Sequence, residues 1–248
     1  PYIQAQQRRT WDIDSWTWKD WAPIVARYLG EVSLLDAQVG VILDRLEELH
    51  LTESTMVIFS TDHGDLCGAH GMIDKHFVMY DDITRVPLIV RFPGRIEGGV
   101  SCDSFVSHEI DIASTILAAA GLDAPSSFQG RSLIATASGT DPSPRQDIFS
   151  AWHGSQLGAF TQRMIRDYDW KYVWNATCED ELYNLAEDIG EKNNLAASHP
   201  EKVKTLDRMI EKHIKETKAV IPKPNPRFDP KQYKPENIGV PASKWQAK

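Results

Sequence analysis

The run Met56-Val57-Ile58-Phe59 breaks off abruptly into Ser60-Thr61-Asp62-His63-Gly64-Asp65, and this break constrains the fold more than any other stretch of the chain. A short apolar, partly β-branched run that ends at once in carboxylate, imidazole and glycine reads as a buried strand opening onto a turn. In open α/β sheets the carboxyl edge of the parallel strands is where ligands gather, so the strand is expected to belong to a parallel sheet. Asp62 and His63 are adjacent, and on a tight turn both can face one ion. Carboxylate oxygen and imidazole nitrogen are both ordinary metal ligands. Gly64 allows the turn without a Cβ clash. Further on, Lys75 stands among glycines and histidines, placed to offer a cation to an anionic substrate.

The residues that follow form an ordered series. Gly68-Ala69-His70-Gly71 comes first and then Lys75. Next is Tyr80-Asp81-Asp82-Ile83-Thr84-Arg85-Val86-Pro87-Leu88, and Arg91-Phe92-Pro93-Gly94 closes the pattern. Asp-His-Gly alone recurs by chance, but the whole series resembles the carboxy-terminal half of the formylglycine-dependent sulfatases, in the alkaline-phosphatase-like superfamily. The resemblance implies an α/β fold: a partial alkaline-phosphatase-like sheet flanked by helices, with a small C-terminal α+β subdomain carrying a short antiparallel sheet. It implies Asp62 and His63 as ligands of one divalent cation, Ca²⁺ first, with Mn²⁺ or Zn²⁺ left open by the imidazole. It implies Lys75 as a contact to a sulfate oxygen and His70 as a residue that orients the loop from behind. His76 follows Lys75 where sulfatases vary, which suggests substrate selectivity. Asp81 and Asp82 resemble a metal pair on paper. In the family they cap a short helix, so they are read as structural, with Arg85 as their partner. In some sulfatases a loop placed like that of His153 reaches the leaving group of the substrate, and His153 is a substrate-binding candidate on that ground.

The chain ahead of the organising stretch is indole-rich, with Trp11, Trp16, Trp18 and Trp21 in a polar segment. Packing of the segment by its indoles is the plainer expectation, and a sugar-stacking or anionic-ligand platform the sharper one. From 22 to 50, Val32, Leu35, Val39, Ile42, Leu46 and Leu49 recur at steps of three and four, which predicts one long amphipathic helix covering a face of the sheet. Past the series, Val86–Phe92 reads as a strand and 107–121 as a helix, capped by Ser107 and ended by Gly121. In that helix His108 and Asp111 are read as helix-start and packing residues. Short strand-like pieces at 147–152, 159–166, 171–175 and 181–183 suggest the antiparallel sheet. A capping box, Ser198 with Glu201, opens the last helix. The expected divisions are 1–140 for the sulfatase α/β part, 141–220 for the small subdomain and 221–248 for a proline-rich tail.

Composition sets the outer limits. The net charge of −8 disfavours a nucleic-acid surface. The chain has no apolar run long enough to cross a membrane. Cys67, Cys102 and Cys178 are odd in number and leave the compartment unread; export of a periplasmic, secreted or lysosomal type is what the family implies. None of these cysteines, and no serine, opens the Cys/Ser-x-Pro-x-Arg signature from which the family makes formylglycine. The chain starts at Pro1, and in sulfatases a catalytic histidine lies just ahead of such a Pro-Tyr. It is therefore expected to lack an upstream half of the fold that carries the nucleophile and an Asp-Asp metal pair, and to be inactive alone. The substrate implied is a sulfate ester of a saccharide or aryl group. Two rival readings stand beside it: a phosphonate monoester or phosphodiester hydrolase of the same superfamily, and a non-catalytic remnant or binding module.

Overall fold

The computed structural model describes residues 2–75, 78–153, 161–176 and 178–219. His76, the beginning of the strand expected from 159, and the proline-rich tail lie outside the described residues. By contact the chain forms two compact units, interleaved along its length. One comprises 1–24, 64–85 and 149–248; the other comprises 25–63 and 86–148.

The first unit holds helix α1 (Tyr2–Thr10), the short helix α3 (Asp81–Thr84), strands β3 (Ile148–His153), β4 (Thr161–Asp167), β5 (Trp170–Asn175) and β6 (Glu181–Asn184), and helix α6 (Pro200–Thr217). Ile148 itself falls just across the division. The four strands form one sheet in chain order, as expected from their spacing, with β4–β5 and β5–β6 antiparallel. Ile165, Tyr172 and Leu182 on the sheet bury against Leu206 and Ile210 of α6. Five buried side chains of that size contribute on the order of 10 kcal/mol of apolar burial. A second cluster, Leu66, Met72, Val78, Tyr80, Ile83, Tyr183 and Leu185, holds the loop after His63 against β6.

Helix α6 does not open with the expected capping box. His199 is its N-cap and Pro200 its first residue, and the Ser198 hydroxyl bonds Leu195 O and His199 Nδ1. Proline presets the helical φ and lacks only a donor that a first turn cannot use, so the start shifts to it. In the expected Asp81 pairing the partner also changes. Lys171 and Arg166, from β5 and β4, bond its carboxylate at 2.8 and 2.7 Å. Arg85 acts on Asp81 only as a more distant charge. Of the indoles, Trp21 is buried, with the edge of Trp16 on it at 4.8 Å, while Trp11, Trp16 and Trp18 stay exposed.

The second unit is a thinner assembly. Helix α2 (Trp18–Glu48) begins in the first unit and continues here, followed by β1 (Val57–Ser60), β2 (Leu88–Arg91), α4 (His108–Ala119) and α5 (Leu133–Ala137). The expectation of a parallel strand is corrected at β1. Its partner is β2, and the pair runs antiparallel in the register Val57↔Arg91 to Ser60↔Leu88. The chain between them returns on itself, so β2 enters from the end where β1 stops. The long helix forms as its periodicity predicts, but its apolar stripe is not covered: Val32, Leu35 and Ile42 are 48%, 55% and 62% exposed. Gly121, at φ +72°, follows α4 as expected. Only Leu133, Asp111, Ser114 and Thr115 are buried among the described residues of this unit.

Candidate metal centre

The turn at the carboxyl end of β1 is held by its own side chains. Ser60 Oγ donates to Pro87 O at 3.0 Å, tying the strand end to the start of β2. Thr61 Oγ1 donates to His63 O at 3.2 Å and to Asp62 Oδ1 at 3.3 Å. The His63 backbone N–H donates to Asp62 Oδ1 at 3.0 Å. That bond, more than any other influence, holds the Asp62 carboxyl below its ordinary value, with the His63 imidazole adding to it. Asp62 is therefore an anion at neutral pH. Its Oδ2 lies 3.5 Å from His63 Nε2, with the Asp62 side chain 81% exposed and that of His63 38%.

This spacing tests whether the pair suits a metal. Two ligands at about 2.1 and 2.4 Å from one ion, separated by roughly 90–110°, stand about 3.2–3.7 Å apart. The observed 3.5 Å fits. The pair is half a cage at most, because among the described residues no group of three or more His, Cys, Asp or Glu side chains converges as a metal site.

The remaining candidates lie in the other unit. Lys75 is half-exposed, with Nζ 3.7 Å from Asp74 Oδ1, and its backbone N–H donates to the same oxygen at 2.6 Å. The His70 ring stacks on Tyr80 with centroids 3.6 Å apart and planes 2° from parallel, and its Nε2 is 3.9 Å from Asp82 Oδ2. Burial depresses the His70 pKa against the pull of the Asp82 carboxylate. It adopts φ +54°, a backbone conformation that side-chain-bearing residues seldom hold. His153, at the end of β3, lines a cavity of about 130 Å³ with Phe149, Arg163, Met164, His213 and Ile214. Burial, then the Arg163 charge, lowers its pKa.

One further side chain reaches the turn, from a residue whose sequence context marks it as a helix-start and packing residue. His108 Nε2 lies 3.2 Å from the main-chain oxygen of Asp62. Its place at the first position of α4 is visible in the sequence. The carbonyl it meets, 46 residues away, is not.

Two family models match the chain. The model described as N-sulphoglucosamine sulphohydrolase, C-terminal, matches residues 68–219, and the sulfatase model matches residues 1–122. The chain belongs to the sulfatase family. Among curated relatives, this sulfatase chain is 32% identical over 200 residues to the N-acetylglucosamine-6-O-sulfatase of Bacteroides thetaiotaomicron, covering 77% of the chain and 36% of that protein. It thus spans about a third of such a relative's length. A solved 2-O GAG sulfatase superposes with a TM-score of 0.82 at 24% identity, over 92% of this chain and 52% of that one, which shows the fold. The phosphonate monoester hydrolase of Agrobacterium radiobacter superposes with a TM-score of 0.74 at 26% identity, over 82% and 43%. The alkaline-phosphatase-like α/β fold expected from the sequence therefore stands. No helix among the described residues is long and apolar enough to cross a membrane.

Proposed function

We propose that this sulfatase chain contributes part of a metal site and a substrate-facing lysine to the hydrolysis of sulfate esters, with a saccharide sulfate as the substrate class. The observation that carries the reading is the convergence of Asp62 and His63 at the end of β1, with oxygen and nitrogen 3.5 Å apart and the carboxylate ionised. The saccharide follows by analogy with the N-acetylglucosamine-6-O-sulfatase.

Each residue has a stated task. Asp62 and His63 would hold a divalent cation, Ca²⁺ first. When bound, such an ion supplies positive charge for the non-bridging oxygens of the ester group. Lys75, in the other unit, offers an ammonium suited to an anionic ester group. His70, stacked on Tyr80, keeps the loop between Gly68 and Lys75 in shape, and His153 faces the leaving group. The chain holds no Cys/Ser-x-Pro-x-Arg sequence, so the formylglycine nucleophile would come from residues outside it, in an amino-terminal half of the fold.

Two assays test this. The purified 248-residue chain, given N-acetylglucosamine-6-sulfate and 4-nitrophenyl sulfate, is expected to show no turnover. A longer polypeptide that joins it to a formylglycine-bearing amino-terminal half is expected to turn over, and Asp62→Ala or Lys75→Ala is expected to cut that rate at least a hundredfold, on the scale of a lost charge-stabilising group. Turnover by the chain alone, or full activity in the Asp62→Ala form, overturns the reading. The likeness to phosphonate monoester hydrolase favours one rival: faster hydrolysis of phenyl phosphonate monoesters than of any sulfate ester would establish it.

A further inference from the structure

We propose that His108 is a positioning residue for the Asp62–His63 pair, an inference that rests on the metal reading above. The contact is between His108 Nε2 and Asp62 O, at 3.2 Å. A carbonyl oxygen only accepts, so His108 must carry its proton on Nε2 to bond there. The bond grips the peptide that joins the two ligand residues. The same peptide supplies the His63 N–H that binds Asp62 Oδ1. Rotation of that peptide would release the carboxylate and swing the imidazole away from it, so fixing the carbonyl fixes both ligand atoms.

The support behind His108 is unusually firm for a helix start. Asp111, one turn along α4, is 1% exposed. Its Oδ2 accepts from the backbone N–H of Ser107 at 2.8 Å, closing the first turn from behind. Its Oδ1 accepts from Arg131 N at 2.8 Å and from an Arg145 Nη at 2.8 Å, and the other Arg145 Nη bonds Oδ2. Thr115 Oγ1 donates to Asp111 O at 2.7 Å and accepts from Leu133 N at 2.8 Å. The carboxylate thus pins the backbone just ahead of His108 and ties it to Arg131 and Arg145, and the imidazole is presented to Asp62 from a fixed base. Ligand-orienting hydrogen bonds of this kind typically change metal affinity by roughly 10–100-fold when removed.

The test is Mn²⁺ binding by the full 248-residue chain, read as loss of the free-ion signal in electron paramagnetic resonance, with circular dichroism and melting to check folding. His108→Ala is expected to weaken Mn²⁺ binding about tenfold. His108→Gln, whose amide N–H can reach the same carbonyl, is expected to restore most of it. A packing role alone would not be rescued by that donor. Unchanged affinity in His108→Ala, with Asp62→Ala abolishing binding, overturns the role of His108 and leaves the metal pair standing. Equal weakening in the Ala and Gln forms also overturns it. If the unaltered chain binds no Mn²⁺, or Asp62→Ala binds as well as the unaltered chain, the metal pair falls and His108 falls with it.

Discussion

A methyl group on Gly64 would overlap the carbonyl oxygen of Asp82 and crowd the Asp82 carbonyl carbon at 2.9 Å. The glycine of Asp-His-Gly is therefore required by close approach of two backbone segments, and its N–H bonds Ile83 O at 3.0 Å. Both neighbours are main chain, so neither can swing aside. Gly64→Ala is expected to destabilise the chain by about 1–3 kcal/mol, the usual cost of overpacking. Because the residue follows His63 directly, Mn²⁺ affinity should fall as well. Denaturant melts and the same Mn²⁺ titration check both, and an Ala variant as stable as the original chain would show that the loop can yield. From sequence the residue was legible as a turn glycine. The reason it must be glycine was not, since Asp82 meets it only once the loop has closed.

At the scale of elements, β5 carries the most enclosed charge among the described residues. Lys171 has no exposed side-chain surface and bonds Asp81 Oδ1 and Glu191 Oε1, each at 2.8 Å. Glu191 Oε2 in turn accepts from Asp81 N at 2.6 Å. Removing the ammonium would leave the buried Glu191 carboxylate facing the partly buried one of Asp81, with Arg166 as the cation bonded to Asp81. Lys171→Met is expected to cost about 3–5 kcal/mol, as for breaking a buried ion pair. The same group gives a pH signature. Burial opposes the charge on Asp81, but Lys171 and Arg166 outweigh it and hold its pKa below 3.8. Its contribution is present above that value and lost as the pH falls further. Burial raises the pKa of Glu191, and that of Glu181, above 4.5. Their contribution is complete below 4.5 and is lost as the pH rises through their folded values. The depressed pKa values of His70 and His153 act the other way below their ordinary value, so the carboxyl contribution is read by difference: Glu191→Gln should gain melting temperature relative to the unaltered chain more at pH 7 than at about pH 4.5. The same gain at both pH values would show that Glu191 is not held as described. The four strands and α6 were legible because alternation and helical periodicity are local signals. The Asp81 partner was not, because Lys171 lies 90 residues on and a lysine in sequence reads as solvent-facing.

For the whole molecule, the contrast between the two units matters most. The first encloses three hydrophobic clusters, whereas the second buries Leu133 alone among apolar side chains of the described residues. Alongside Val32, Leu35 and Ile42, the strand residue Ile89 is 63% exposed. Periodicity revealed that α2 has an apolar face, but a single sequence does not reveal whether anything lies against it. Exposed stripes of this kind bind hydrophobic dyes and drive association at micromolar concentration. The isolated chain is expected to enhance the fluorescence of anilinonaphthalene sulfonate and to sediment as more than a monomer at about 50 µM. Leu35→Gln with Ile42→Gln should reduce both. A dye-silent monomer would refute this.

The stripe on α2 also bears on the chain's fate in a cell. Quality control recognises immaturity by persistent greasy surface, and a holdase that binds such a surface competes with native contacts by mass action. A polypeptide of these residues alone would then be retained or degraded however well its four-stranded sheet had folded, and its abundance would follow from how quickly that helix is covered.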